Sequence, residues 1–535
     1  MRVLLINPFY PISETPSPPL GLAFLAAALE AAGVEVKILD LVVYPYSRRI
    51  LESLLKDFKP QMVGITAVTM TFDNAIKVIK DVKRIDPPIL TVMGGPHVTF
   101  CAQDTLKGYP ELDIIVLGEG EKTVVELAQA TDHKHRWNDV NGIAFRQGSE
   151  ICNTATRELI QDLDSLPTPA RHLLALGRYR ALGMPISMTT SRGCPFKCIF
   201  CVGRKMVGTK VRYRNPVNVV DELECLNAFN FNQINIADDL FTANKKHCLS
   251  VCDEIIKRGL QIKWTSFARV DTVSEELLIQ MKAAGCTAVS FGIESANPEI
   301  LKTIKKGITL QQVEKAVEAC KRAGVIPHAS FILGLPGETP QTIKETMDFG
   351  EHLKKSGLSY GFHLLAPFPG TEVREQSRAY GISILTNDWS QYHANSAIVE
   401  TPAVNRHMLD DIAADWQNEY NGYLEDIKQR MQTGQATPDE IWEVTNLKRI
   451  VLIYDLMMQN VIEEKGSWQT DKNPLSGTDL LKVLANRIKD SISKPEDIHS
   501  TLQYAVEQGS LAVSVEGKKV RWQWVDYIKK VPKVN

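Results

Sequence analysis

The feature that most constrains the fold of this chain is a regular alternation of short apolar runs with helical segments. The first run, RVLLIN at 2–7, is continuously apolar, which is typical of a strand buried on both faces. Helical segments separate it from four further runs, and this order favours a doubly wound parallel sheet with right-handed crossovers. The five predicted strands of this flavodoxin-like α/β sheet are 2–7, 34–41, 62–69, 88–95 and 113–120.

A second alternation begins near residue 185 and predicts a partial (β/α)6 barrel of the TIM type. In such barrels the chemistry gathers at the carboxyl ends of the strands. Its six predicted strands are 185–191, 231–238, 261–268, 287–295, 325–336 and 360–369. Beyond residue 385 the alternation stops, and the sequence predicts long helices at 408–432, 438–464 and 477–493, followed by a hairpin at 510–524.

The chain of 535 residues is too long for one ordinary domain, and the two alternations divide it. A stretch after the first alternation, NGIAFRQGSEI, predicts a hairpin within an otherwise polar connection. We expect an N-terminal α/β domain over 1–135, a linker over 136–180, a barrel over 181–385 and a mainly helical domain over 386–535.

Composition and charge narrow the class of protein. Hydrophobic residues make up 44% and charged residues 23% of the chain, which is typical of soluble globular proteins. The net charge of -2 gives no field that favours nucleic acid, and no apolar run reaches the ~18 residues of a membrane span. We therefore expect a cytoplasmic protein without a nucleic-acid partner. Its ten cysteines are scattered, so a disulfide framework is not expected.

Small and polar residues follow several strands of the first predicted sheet. They include Thr66, Thr69 and the segments 94–97 and 118–120. Ligands of parallel sheets bind beyond the carboxyl ends of the strands, where glycines allow close approach to the backbone. One glycine turn alone is better explained by a tight connection, but a row of them at one edge predicts a ligand with phosphate or amide groups. No GxGxxG follows the first strand, so a dinucleotide site is not indicated.

Three cysteines lie close together in the stretch SRGCPFKCIFC, at Cys194, Cys198 and Cys201. Structural zinc sites usually take four protein ligands in two pairs, which this spacing does not supply. A redox pair of Cys198 and Cys201 would leave Cys194 unexplained. An iron–sulfur cluster held by three thiolates would keep one iron open, and an open metal position is a reactive one.

This motif resembles the hallmark of the radical S-adenosylmethionine (SAM) enzymes. Their CxxxCxxC pattern, with an aromatic residue before the last cysteine, is matched by Cys194, Cys198, Phe200 and Cys201. The resemblance implies a [4Fe-4S] cluster whose open iron chelates the amino and carboxylate groups of SAM. Electron transfer would then cleave SAM to methionine and a 5′-deoxyadenosyl radical.

Other strand ends of the predicted barrel resemble the SAM-binding positions of the same family. Asp238 and Asp239 stand where the family usually has a Gly-Gly-Glu-type segment near the SAM amino group, and the departure to Asp-Asp is similar to the cobalamin-associated branch. Arg269 resembles the partner of the SAM carboxylate, which a charge-assisted bond would hold. Glu294 resembles a residue near the ribose or methionine end, and Leu335 lies in a segment, GLPGET, that resembles the adenine-side loop.

The N-terminal domain resembles the cobalamin-binding domain that precedes many such enzymes. The DxHxxG motif with its cobalt-ligating histidine is absent, as is common in this branch, which implies a cobalt without a histidine from that motif. His97 is expected to contact the edge of the cofactor or nearby loops rather than the cobalt. The residues that this resemblance predicts to bind cobalamin are Leu20, Thr66, Thr69, Gly94, Gly95, His97, Gly118, Glu119 and Gly120.

The two resemblances together imply a cobalamin-dependent radical SAM methyltransferase that acts on an unactivated carbon through a 5′-deoxyadenosyl radical and methylcobalamin. An oxidative cyclase, similar to the anaerobic cyclase of magnesium-porphyrin esters, is the alternative enzyme. A cobalamin- or redox-sensing binding protein is the alternative from another class. The expected partners are a small-molecule or natural-product substrate and a reducing electron donor of the flavodoxin or ferredoxin type.

Overall fold

The structure is a computed structural model that describes residues 1–11, 15–130, 134–470, 477–491 and 497–527. Its first region is the predicted α/β sheet with its crossover helices. The elements of this region are β1 (Arg2–Asn7), α1 (Leu20–Ala31), β2 (Glu35–Asp40), α2 (Arg48–Phe58), β3 (Met62–Thr66), α3 (Phe72–Ile85), β4 (Leu90–Gly94), α4 (Pro96–Gly108), β5 (Ile114–Val116), α5 (Glu121–Gln129), β6 (Ile143–Gln147) and β7 (Glu150–Asn153).

The strands of the first sheet follow the order β2-β1-β3-β4-β5-β6-β7. The first five are parallel, and their order is that of the flavodoxin-like doubly wound fold, as predicted. The hairpin β6–β7 adds two antiparallel strands beside β5, because the apolar residues 143–145 are buried against that edge and cover its unpaired backbone groups. The segment predicted as a linker over 136–180 therefore begins with two strands of the first sheet.

The second region is the predicted partial barrel. Its six main strands are parallel in the order β8-β11-β12-β13-β14-β15, and helices pack on the outer face. The elements of this region are α6 (Leu176–Ala181), β8 (Ile186–Met188), β9 (Ser191–Arg192), α7 (Gly203–Val207), β10 (Arg212–Tyr213), α8 (Pro216–Ala228), β11 (Ile234–Ile236), α9 (Lys245–Lys257), β12 (Trp264–Ala268), α10 (Glu275–Ala283), β13 (Cys286–Glu294), α11 (Pro298–Thr303), α12 (Leu310–Ala323), β14 (Ile326–Leu333), α13 (Pro340–Lys355), β15 (Ser359–Leu364) and α14 (Glu372–Glu375).

Burial alternates along the barrel strands and separates their two faces. In β14 the side chains of Ala329 and Phe331 are fully buried in the core shared with the outer helices, whereas His328 and Ser330 are only half-buried. Successive side chains of a strand point to opposite faces, so the half-buried set lines the interior of the barrel. The first predicted strand is shorter than expected, because Ser191 and Arg192 leave the barrel sheet to pair with β10.

The third region is mainly helical, as predicted. The elements of this region are β16 (Ser383–Ile384), β17 (Val399–Glu400), α15 (Arg406–Gln432), α16 (Pro438–Met458), α17 (Val461–Lys465), β18 (Ser467–Gln469), α18 (Gly477–Ile488), α19 (Ile498–Glu507), β19 (Leu511–Glu516) and β20 (Lys519–Trp524). The helix predicted over 438–464 breaks after Met458, since Asn460 adopts a left-handed φ of 52°. The helix predicted over 477–493 ends at Ile488, and its residues 492–493 lie outside the described part.

The hairpin β19–β20 forms where predicted, and β18 adds an unpredicted third strand. One buried cation, Arg178, ties this last region to the first. Its guanidinium donates to Asp526 at 2.7 Å, to Glu463 at 2.6 Å and to the Val43 carbonyl at 3.1 Å. Within the residues that the structure describes, no helix combines the length and apolar character needed to cross a membrane.

Candidate active site

The three clustered cysteines lie in a loop that β9 and β10 close at its base. The Cys194 amide donates to the Gly208 carbonyl at 3.1 Å, across the loop. Gly193 has a φ of 119°, and a Cβ there would approach the Lys210 carbonyl oxygen to 2.6 Å. Only glycine fits both conditions, so the residue before the first cysteine fixes the entry to the loop.

The thiols of the loop are free and accessible to differing degrees. Cys194 and Cys198 are half-buried, and Cys201 is exposed. Burial raises the pKa of all three thiols; at Cys194 and Cys198 the nearby cations Lys306 and Arg269 act in the opposite direction. Among the described residues no three ligand side chains converge on a single metal ion. A cubane spreads its thiolates over separate irons, so the set suits a cluster rather than one ion.

A short segment after α11 straps the cysteine loop from the barrel side. The Ile199 amide donates to the Ile304 carbonyl at 3.2 Å, and the Cys198 thiol donates to the Lys305 carbonyl at 3.9 Å. We call residues 304–306 the strap. The sequence analysis missed it, because lysines after a short helix give no sign of contact with a loop a hundred residues away.

The two aspartates predicted to meet the SAM amino group face different surroundings. Asp238 is buried, and its carboxylate accepts hydrogen bonds from Thr190 (amide and hydroxyl, both 2.6 Å) and from the Ser191 hydroxyl at 2.7 Å. Its pKa is raised by burial, which these bonds oppose. Asp239 is exposed beside the loop and accepts from the Gly193 amide at 3.2 Å. Of the pair, Asp239 is the carboxylate that an incoming ammonium group can reach.

Arg269, predicted to pair with the SAM carboxylate, already has a carboxylate partner. Its guanidinium donates to both oxygens of Asp271 at 2.9 Å and to the Lys306 carbonyl at 2.8 Å. Its central carbon lies 3.6 Å from the ring centroid of Phe196, which belongs to the cysteine loop. Arg269 therefore fixes the loop and the strap together, and Phe200 in the same loop packs against the main core.

Glu294, predicted to lie near the ribose or methionine end of SAM, ends β13 in an unusual conformation. Its φ is 72°, and the pairing of β13 with β14 shifts register between Gly292 and Glu294. Its carboxylate accepts a hydrogen bond from the Lys306 ammonium at 2.7 Å, and both side chains are less than a tenth exposed. The strap lysine was not predicted from sequence.

Leu335, predicted for the adenine side, is fully buried in the turn after β14. The amides of Gly334 and Leu335 donate to one carboxylate oxygen of Glu338, at 2.7 and 2.9 Å. Burial raises the pKa of Glu338 to about 7, against the effect of those two bonds. The buried Glu338 carboxylate therefore holds the backbone of this turn in place.

A second functional element is a cavity of about 420 Å³ between the first sheet and helices α1 and α5. Its walls are mainly apolar, with Leu5, Phe24 and Val92 among them. Met206 and Val207, from the cysteine loop, close one side. Six of the residues predicted to bind cobalamin line this cavity, namely Thr66, Gly94, Gly95, Gly118, Glu119 and Gly120.

An ion-pair network joins the cavity wall to the base of the cysteine loop. Glu119 pairs with Arg212 at 2.8 Å and with Arg192 at 3.3 Å, and Arg192 also pairs with Glu121 at 2.7 Å. Burial acts to raise the pKa of Glu119, but the bonds from Arg212 and the Ile160 amide, together with the charges of Arg192 and Arg212, lower it overall. The second oxygen of Glu121 is buried and has no hydrogen-bond partner among the described residues.

The other three residues predicted for cobalamin, Leu20, Thr69 and His97, do not line the cavity. His97 is buried: its Nδ1 lies 3.3 Å from the Thr69 hydroxyl, and its ring packs tilted against Phe72 and edge-on against Trp389. Burial, with a smaller effect of Arg374, lowers the pKa of His97 to about 4. A neutral imidazole held in this aromatic box joins the first sheet to the segment after the barrel.

Comparison with known proteins identifies both the domain that contains the cavity and the barrel that carries the cysteine loop. The family model described as "B12 binding domain" matches residues 13–128, and that described as "Radical SAM superfamily" matches residues 188–350. An uncharacterized methyltransferase of Pyrococcus horikoshii is 37% identical over 73% of this chain and 86% of its own. The chain belongs to the cobalamin-binding branch of the radical SAM superfamily.

Two further proteins are similar to this chain, one in sequence and one in fold. An anaerobic magnesium-protoporphyrin IX monomethyl ester cyclase of Rubrivivax gelatinosus is 31% identical over 78% of this chain and 77% of its own. The solved structure of the cobalamin-dependent SAM radical enzyme OxsB shares the fold, with a TM-score of 0.68 and 18% identity over 95% of this chain and 83% of that chain. The cofactors of this radical SAM protein are therefore a [4Fe-4S] cluster, SAM and cobalamin.

Proposed function

We propose that this radical SAM protein is a methyltransferase that replaces a hydrogen on an unactivated carbon of a small molecule or natural product with a methyl group. The single observation that carries the proposal is the shared wall between the two sites. The loop that holds Cys194, Cys198 and Cys201 also supplies Met206 and Val207 to the cavity of the cobalamin-binding domain. A substrate bound at this junction would meet both cofactors without leaving the protein.

The residues present fit the cluster. Three thiols stand in one loop without a fourth cysteine within twenty residues, which suits three irons with thiolates and one iron left for SAM. Two buried cations, Arg269 and Lys306, favour the thiolate forms of Cys194 and Cys198. When bound, the cluster supplies the single electron that splits SAM, and it receives that electron from a donor of the flavodoxin or ferredoxin type.

The residues present also fit cobalamin. The cavity offers an apolar slot at the carboxyl end of the first sheet, where glycines at 94, 95, 118 and 120 leave the backbone accessible. The unpartnered oxygen of Glu121 is a buried acceptor beside Arg192. The side-chain amides of cobalamin are donors that would satisfy it. When bound, cobalamin supplies the methyl-transfer chemistry.

The chain itself contributes binding, orientation and exclusion of water. Asp239, which is exposed beside the cysteine loop, would receive the SAM ammonium group, and Glu294 would meet its ribose or methionine end. Arg269 holds the cysteine loop against the strap. Closing the junction from water protects radicals from quenching, so most of the protein's contribution is proximity and orientation.

In each turnover two SAM molecules and two electrons from the donor would be consumed, one electron to split SAM and one to return cobalamin to its methyl-accepting state. One would lose its methyl group and leave as S-adenosylhomocysteine. The other would accept one electron, break into methionine and a 5′-deoxyadenosyl radical, and remove the substrate hydrogen as 5′-deoxyadenosine. The product would therefore contain one CH2 unit more than the substrate.

An oxidative cyclase is the second candidate, favoured by the 31% identity to the magnesium-protoporphyrin ester cyclase. The mass of the product separates the two functions. Anaerobically reconstituted protein, given cobalamin, reductant and SAM with a deuterated methyl group, is incubated with metabolite pools. We expect a product that carries the deuterated methyl group; a product that loses hydrogens or gains oxygen without the label would overturn methylation in favour of the cyclase.

A further inference from the structure

Lys306 is a buried cation whose placement the methyl-transfer proposal leaves unexplained. Lys306 is only 6% exposed, and its ammonium pairs with the Glu294 carboxylate at 2.7 Å. A buried charge is costly unless the fold compensates it, so a lysine placed here needs a reason beyond packing. The neighbouring Lys305 shows the alternative, because it lies half-exposed and pairs with Glu372 on the surface.

The barrel departs from regular geometry to seat this ion pair. Glu294 adopts the left-handed φ of 72°, which a non-glycine residue rarely takes and which persists only where the surrounding structure holds it. Gly292, two residues before Glu294 in β13, leaves room for the ion pair. A Cβ at Gly292 would lie 2.3 Å from a Glu294 carboxylate oxygen and 2.9 Å from the Lys306 ammonium. Gly292 alternates with the buried Phe291 and Ile293, so the pair lies on the interior face of β13.

The strap brings this charge to the cysteine loop. The carbonyls of Ile304 and Lys305 contact Ile199 and Cys198, and the Lys306 carbonyl accepts from Arg269. Lys306 directly follows the residue that contacts Cys198 and itself contacts Arg269, so its buried ammonium is a fixed positive charge beside the cysteine loop.

We propose that Lys306 raises the reduction potential of the cluster held by the three cysteines, and that Glu294 is the counter-charge that limits this effect. Adding one electron makes the cluster more negative, so a fixed cation inside the barrel stabilises the reduced form. The electron comes from the external donor, and Lys306 does not change the number of electrons transferred. The inference rests on the proposed assignment of Cys194, Cys198 and Cys201 as the cluster ligands.

The test is a redox titration of the full-length, reconstituted protein, followed by the electron paramagnetic resonance signal of the reduced cluster. Lys306→Met is expected to lower the equilibrium constant for reduction about tenfold, or about 59 mV for one electron. Glu294→Gln is expected to shift the potential in the opposite direction. Lys305→Met, the matched control next to the strap charge, is expected to leave it unchanged.

The opposite signs distinguish tuning by charge from damage to the fold. Equal downward shifts in Lys306→Met and Glu294→Gln, or no shift in Lys306→Met with a full cluster, would overturn the proposal. If Lys306→Met does not hold a cluster, Lys306→Arg must keep the wild-type potential while Glu294→Gln raises it; any other pair of results overturns the proposal. Iron content, measured in parallel, keeps failure of the cysteine assignment distinct, since that failure would appear as a cluster retained in the cysteine variants.

Discussion

The cysteine loop and the cavity beside it differ in the chemistry of the residues around them. The loop is surrounded by charged side chains at fixed distances: Arg269 on Asp271, Lys306 on Glu294 and Asp239 on the Gly193 amide. The cavity is lined mainly by glycines and apolar side chains, and its charged residues, Glu119, Glu121 and Arg192, belong to the ion-pair network. A small anionic cluster needs charges near it, whereas a large cofactor rich in amide groups needs space and accessible backbone.

This difference decides how each site responds to substitution. A charge near the loop acts over several ångströms, so its removal alters the properties of a cluster that still binds. A side chain added to the cavity acts by volume, so it prevents binding without altering the loop.

Filling the cavity is expected to remove cobalamin while the cluster stays. Gly21 lies in α1, lines the cavity, and has nothing within 4 Å of where a Cβ would stand. Gly21→Leu is therefore expected to fold, helped by the better helix propensity of leucine, and to bind hydroxocobalamin at least about tenfold more weakly. Equilibrium dialysis measures the affinity, and iron content measures the cluster.

The matched control is Gly21→Ala, which adds one methyl group and is expected to keep cobalamin affinity close to that of the wild type. If Gly21→Leu holds cobalamin as tightly as Gly21→Ala does, the cofactor lies elsewhere. The contrast between a site made of charges and a site made of space would then be wrong for this half of the molecule.

The smaller effect concerns the link between the two sites. Arg192 precedes the cysteine loop, lines the cavity and pairs with Glu119 and Glu121. Cobalamin is expected to slow the loss of iron to a chelator, and Arg192→Gln to reduce that protection about threefold to tenfold, within the usual range of coupling between sites. Because coupling between binding equilibria is reciprocal, cluster loading is also expected to tighten cobalamin binding in the wild type.

Arg157→Gln serves as the control for this experiment. Arg157 pairs with Glu126 on α5. It lies outside the cysteine loop and does not line the cavity. Its substitution is expected to leave the protection by cobalamin intact. Protection as strong in Arg192→Gln as in the wild type would show that the two sites bind independently.

The sequence predicts the fold better than it predicts the contacts of the sites. The strand order of the first sheet and the six parallel strands of the barrel follow from hydrophobic periodicity and the handedness of crossovers. The hairpin β6–β7 was recognised, but its place in the first sheet was not, because periodicity does not say which edge a strand joins. The cysteine loop was found because three thiols at short spacing carry their own chemistry.

The surroundings of the cysteines could not be predicted, since they depend on conformations that no local pattern specifies. The left-handed Glu294 and the strap lysine Lys306 meet only because β13 shifts register beside Gly292. Likewise, His97 follows β4 as predicted, but it lies in the first turn of α4 and packs between Phe72 and Trp389 rather than at the cavity. Its role toward cobalamin stays a prediction, as do those of Leu20, Thr69 and the six predicted residues that line the cavity.

The central claim is that three thiolates hold the cluster and one iron stays open to SAM. Electron–nuclear double resonance on the reduced, cobalamin-loaded protein tests it most directly, with SAM isotopically labelled at its amino nitrogen and carboxylate oxygen. We predict hyperfine couplings from both labels, as direct ligation to the open iron requires. Absence of both couplings from protein with a full, reduced cluster and bound SAM would contradict the account.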